Sequence, residues 1–133
     1  MKESRLIKVA VTFIILFAIS AGILLYYGSK SFKQEIDSMQ IKNIEISRIE
    51  DGVYVGEYFP TIYVGAKVEV AVEYGNITSI RLIEHRYGRG KEAEAITDRV
   101  ISAQSLEVDT VTGATVSSKV ILKAIDNALS QAD

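Results

Sequence analysis

The stretch Asp109-Thr-Val-Thr112-Gly113-Ala114-Thr115 carries the residues of this chain best suited to chemistry. It follows a polar segment and runs into Val116, Val120, Ile121, Ala124, Ile125, Ala128 and Leu129, an apolar repeat at helical spacing. A threonine hydroxyl therefore falls where a helix begins. The free N–H groups and positive dipole end of a first turn hold a phosphate there without any basic side chain. Gly113 and Ala114 keep side-chain bulk off the backbone, and Gly113 can take a positive φ if the turn needs it. Thr112 can fix the turn through its hydroxyl or touch the phosphate directly, and Ser117 and Ser118 can donate to phosphate oxygens. Asp109 suits an Asx-turn. The competing reading is a capped helix start and nothing more, with Thr115 or Ser117 as the N-cap.

A second group surrounds Gly88 and Gly90: Arg86, Arg89 and Lys91. A glycine-rich basic loop can wrap a phosphate, and it can equally be a solvated connection. The chain has no cysteine, which excludes thiol chemistry and cysteine-ligated centres, and its one histidine, His85, disfavours a histidine-built zinc or haem site. No catalytic side chain or metal ligand set is expected. Redox chemistry, if present, has to come from an organic cofactor.

The elements that must position these residues follow from periodicity. Val53 to Phe59 alternates, with Tyr54, Gly56 and Tyr58 opposite Val53 and Val55. Tyr63 to Tyr74 alternates most clearly, with Val68, Val70, Val72 and Tyr74 on one face and Lys67, Glu69, Ala71 and Glu73 on the other. Gly75-Asn76 predicts a II′ hairpin turn, and Ile77 to His85 returns with Ile80 and Leu82 inward. Lys91 to Ser105 reads as a helix with Ile96, Val100 and Ala103 on one face, and a last helix starts near Val116. The expected fold is α+β: an N-terminal transmembrane helix, then a small antiparallel sheet with helices packed on one face.

Val9 to Tyr27 contains no charge, and its 19 residues span roughly 28 Å as a helix, about one hydrocarbon core. Lys2, Arg5 and Lys8 precede it and Tyr26 and Tyr27 close it, which predicts a single-pass anchor over 7–27 with a cytoplasmic N-terminus. Ala18-Ile-Ser20 can also be read as the cleavage site of a signal peptide, although the apolar run continues through Leu25. Residues 28–44 form a juxtamembrane stalk or linker, with Phe32, Ile36 and Met39 at helical spacing. Residues 45–133 form the domain. Residues 34–133 hold 10 basic and 16 acidic groups, which disfavours nucleic acid as a partner and suits a solvated external domain.

The Thr112-Gly-Ala-Thr115 segment resembles the attachment motif of the FMN-binding domain family, found in sodium-pumping NADH:quinone reductases, Rnf-type complexes and small membrane-anchored electron carriers. Asp51-Gly52-Val-Tyr54-Val-Gly56 resembles that family's opening strand, and Val68 to Val72 with Gly75-Asn76-Ile77 its central hairpin. Gly88 and Gly90 match its glycine-rich loop loosely, and Phe59-Pro60-Thr61 departs from the glycines after its first strand. The resemblance implies FMN joined through its phosphate to Thr115 as a phosphoester, made by a separate flavin transferase from FAD. It also implies that Asp109 helps position the metal-bound donor, if it is more than a turn residue. A membrane-anchored extracytoplasmic electron carrier working with membrane or extracellular redox partner proteins is then expected. The alternatives are a flavin-dependent reductase of a small extracellular substrate and a non-redox interaction module. Tyr54, Tyr58 and Tyr87 can stack on an isoalloxazine ring or simply pack, and His85 can hydrogen-bond the flavin or serve the fold.

Overall fold

A computed structural model describes residues 2–132. The chain divides into two units, Met1–Ser38 and Met39–Asp133. The first is a single helix, α1 (Lys2–Ser38). Over most of its length every face is apolar, and it has the length and composition of a membrane span or a signal sequence. It continues through the Phe32–Ile36 spacing as helix and stops at Ser38.

The second unit is α+β. Three antiparallel strands, β1 (Gly52–Tyr58), β2 (Gly65–Glu73) and β3 (Asn76–Arg86), form one sheet in the order β1-β2-β3. Two helices, α2 (Ile96–Ala103) and α3 (Thr115–Leu129), pack on it, α3 across β1 and β2 and α2 against β3. Val68, Val70 and Val72 of β2 are fully buried and meet Val120, Ile121, Ile125 and Leu129 in the core. Burial of each of these side chains contributes on the order of 2 kcal/mol.

On β1 the inward face is the one carrying Tyr54, Gly56 and Tyr58, while Val53 and Val55 look outward. Gly56 is the reason: a Cβ there would overlap the Ala124 carbonyl and the Ala128 backbone, so β1 and α3 touch backbone to backbone. Asn127 of α3 and Gln131 just beyond its end then donate their amides to the Glu57 and Val55 carbonyls at 2.9 and 2.7 Å. They satisfy acceptors on the free edge of β1.

Several expectations are corrected. The hairpin turn is Tyr74-Gly75, with φ of 54° and 71°, which is the I′ pattern rather than II′ at Gly75-Asn76. Asp51 Oδ1 accepts the Tyr74 N–H at 2.7 Å and holds this turn. Tyr74 is consequently 90 % exposed and does not continue the valine face. Two irregularities in the β2–β3 register, near Thr78 and Ile83, reset the phase of β3, so that Ile77, Ile80, Leu82 and His85 are the more buried positions. The helix expected over Lys91 to Ser105 is a 3-10 turn, Lys91–Ala95, followed by α2, which ends at Ala103 with that residue exposed. The cause lies in Gln104, which takes φ 50° and turns its side chain onto β3. Its amide accepts the Ile77 N–H at 2.7 Å and donates to the Ile77 carbonyl at 2.9 Å, acting as a strand partner.

Candidate functional site

α2 and α3 are joined by residues 104–114, and this connection is fixed from both ends. Arg99 of α2 donates one guanidinium nitrogen to the carbonyls of Asp109 and Thr110, at 2.8 and 3.2 Å. Ser118 of α3 is fully buried, and its Oγ accepts the Val111 N–H at 3.0 Å. Between these anchors Val111 to Ala114 makes a turn closed by Ala114 N–H to Val111 carbonyl at 3.0 Å. Gly113 occupies its third position with φ 82°, the signature of a type II turn. The turn is thus held by backbone and by Ser118; the Thr112 side chain is exposed.

The chain then enters α3 without a side-chain cap. Ala114 is the N-cap, which corrects Thr115 and Ser117 as capping residues. Thr115 is the first residue of α3, and it is exposed. The first helical bond runs from Ser118 N–H to the Ala114 carbonyl at 2.9 Å. The N–H groups of Thr115, Val116 and Ser117 precede it and have no helical acceptor. Val116 is partly exposed at the rim and does not belong to the buried stripe of α3.

A cleft of about 430 Å³ opens at this helix start. Gly113 to Ser117 form one wall, Gly88, Arg89 and Gly90 the other, and Val64 borders both. The two walls meet closely, since a Cβ on Gly90 would overlap the Ser117 hydroxyl. The glycine-rich loop therefore belongs to the site, a placement the sequence left open between phosphate loop and solvated connection. Arg89 is the basic residue among the cleft-lining residues. Arg86 is engaged elsewhere: it pairs with Glu84 at 2.6 Å and lies 5.0 Å over the Phe59 ring. Lys91 is exposed at the start of the 3-10 turn.

The remaining candidates fall as follows. Asp109 is exposed and contributes its carbonyl to Arg99. Ser117 is buried and lines the cleft, whereas Ser118 is committed to Val111. Tyr54 donates its hydroxyl to the Glu50 carbonyl at 2.8 Å. Tyr58 is half-buried on β1, and Tyr87 packs against His85 with ring centroids 4.8 Å apart. The His85 side chain is 4 % exposed, and its Nδ1 lies 3.1 Å from Glu94 Oε1. Its Nε2 is buried with no partner among the described residues. Val64 was not singled out by sequence, and the Gly88–Gly90 loop was weighed there as a phosphate loop or a solvated connection; the fold brings both into the cleft that Thr115 lines.

The residues present suit a phosphorylated cofactor. A helix start with open N–H groups, a glycine at positive φ and a second glycine with no room for a Cβ all border one cleft. Among the described residues no group of three or more acidic or histidine side chains is arranged to hold a metal.

Comparison with known proteins agrees with this geometry. The family model for the FMN-binding domain matches residues 64–130, half of the chain. The match covers β2, β3, α2 and α3 with the whole cleft. The opening strand Asp51–Gly56 lies outside it and joins the domain by pairing with β2. No curated protein matches the chain.

Proposed function

The chain belongs to the FMN-binding domain family, and from that premise we propose that it is a membrane-anchored extracytoplasmic electron carrier with FMN attached through its phosphate to Thr115. The observation that carries the attachment is the placement of Thr115. It is an exposed residue at the start of α3, lining a cleft that also holds three glycines, Gly88, Gly90 and Gly113. Thr115 holds the phosphate by a phosphoester. The N–H groups of the first turn, with Ser117 and Arg89 in the lining of the same cleft, would receive its remaining oxygens. Bound FMN supplies one- and two-electron redox chemistry that no side chain of this cysteine-free chain offers.

The anchor supports the carrier reading. A flavin tethered to a membrane-bound domain stays near its redox partners at high effective concentration. Lys2, Arg5 and Lys8 ahead of the apolar stretch favour a cytoplasmic N-terminus, with the domain on the outer face. A flavin transferase outside the membrane would load Thr115. Membrane or extracellular redox proteins would then exchange electrons with the domain. The test is in-gel flavin fluorescence after denaturation of protein co-expressed with a flavin transferase. The natural sequence retains fluorescence and Thr115→Ala shows none; fluorescence surviving in Thr115→Ala would refute the attachment site.

A further inference from the structure

Residues 59–64 join β1 to β2, and this connection is held at several points. A Cβ on Gly65 would overlap the Phe59 ring, so the ring rests on the first residue of β2. Arg86, the cross-strand partner of Gly65, places its guanidinium carbon 5.0 Å from the centroid of the same ring. That guanidinium donates to the Ile62 carbonyl at 3.3 Å, and its Nε donates to Glu84 at 2.6 Å. Within the loop Thr61 closes on Val64 twice. Its Oγ1 accepts the Val64 N–H at 3.0 Å, and its own N–H donates to the Val64 carbonyl at 3.4 Å. Both backbone groups of Val64 are thereby engaged, and Pro60 fixes φ at the loop's second position.

Val64 is the residue this frame delivers to the cleft. It is half-buried there. The rest of the lining is glycine, alanine, hydroxyl and arginine side chains, together with Val116. Val116 sits in the same first turn of α3 as Thr115, at the end of the cleft suited to phosphate. Val64 enters from a separate element. It offers an apolar surface to whatever part of a ligand extends away from the helix start. A cleft for phosphate alone needs no such surface. A β-branched side chain is stiff at χ1, so Val64 is a fixed wall and not a yielding one. A planar apolar ring loses water and gains dispersion contacts against it.

We infer that Val64 is the residue against which the planar ring of a phosphorylated cofactor packs, and that Phe59, Thr61 and Arg86 are the positioning residues that hold it there. The identity of that ring as the isoalloxazine of FMN on Thr115 rests on the function proposed above. The frame around Val64 does not.

The test uses full-length protein in nanodiscs, loaded by a flavin transferase and FAD, with intact mass giving the loaded fraction. Visible-region circular dichroism and fluorescence-anisotropy decay then report how firmly the tethered ring is held. The natural sequence is expected to show induced dichroism and a ring that turns with the domain. Val64→Ala and Thr61→Val are expected to load Thr115, yet to lose about half or more of the induced dichroism and gain a fast depolarising component. Val53→Ala, on the outward face of β1, leaves both signals unchanged. Val64→Thr keeps the shape of the wall but sets a hydroxyl against the ring, so it retains the dichroism and raises the flavin midpoint potential. This variant decides the matter if Val64→Ala does not fold: an unchanged potential overturns the inference. Natural signals in loaded Val64→Ala overturn it, and natural signals in loaded Thr61→Val overturn the positioning role. A folded Val64→Ala that no longer loads also overturns it, because the wall would then serve the transfer and not the ring. Absence of FMN from Thr115 in the natural sequence is instead a failure of the functional reading, and free FMN then serves as the probe. Dichroism induced in the natural sequence and lost in Val64→Ala supports the inference; no induced signal, or an equal one in both, overturns it.

Discussion

Thr115 is accessible, while several residues that frame it are committed. Ala114 and Ser117 are buried, Ser118 holds Val111, and Arg99 holds the carbonyls before the turn. The acceptor hydroxyl is thus presented by a rigid frame, which places a reacting group without an entropic cost at each encounter. Gly113 is the hinge of that frame because its φ of 82° is unfavourable for any residue with a Cβ. Gly113→Ala is expected to cost about 1–2 kcal/mol locally and to slow flavin loading of Thr115, with global unfolding only modestly affected. Time-resolved mass spectrometry of loading alongside thermal unfolding checks both parts. Much of this was legible in the sequence, because Asp109 to Thr115 is contiguous and its residue types are those of a turn and a helix start. The close approach of Gly90 to Ser117 was not, because it depends on β3 returning along β2 and on the 3-10 turn at Lys91–Ala95.

Among the elements, the sheet and α3 set the geometry and the glycine of β1 sets their separation. Alternation in Val53 to Phe59 gave two faces, yet hydrophobicity alone would bury the valines; close packing on Ala124 and Ala128 buries Gly56 and its tyrosine neighbours instead. Gly56→Ala is expected to force β1 from α3 and destabilise the domain by about 3 kcal/mol or more, read as a drop in the denaturation midpoint. The β2–β3 turn offers the opposite change. Tyr74 is highly exposed at φ 54°, beside Gly75, in a turn that favours Asn-Gly. Tyr74→Asn is expected to stabilise by up to about 1 kcal/mol, provided the Asp51 contact to its N–H survives; chemical denaturation measures it. The β3 irregularities and the Gln104 contact were hidden from sequence for one reason. Each replaces a regular backbone pattern by a single long-range pairing, and local periodicity carries no trace of that.

At the scale of the whole molecule, two units of different composition are joined in one chain. α1 has the length and composition to cross a membrane, and the second unit carries an acidic surplus and a cleft suited to FMN. The proposed topology has a direct check, because the chain lacks cysteine and any introduced one is unique. Glu73→Cys in intact cells is expected to react with a membrane-impermeant maleimide, and Ser4→Cys only after permeabilisation; the reverse pattern would invert the topology. The central claim is the bond between Thr115 and the flavin phosphate. Its most direct measurement is intact and peptide mass spectrometry on protein purified from its native membrane and denatured. The account predicts an increment of one FMN less water, localised to the peptide containing Thr115. An unmodified Thr115 peptide, from cells shown to hold an active flavin transferase, would contradict it.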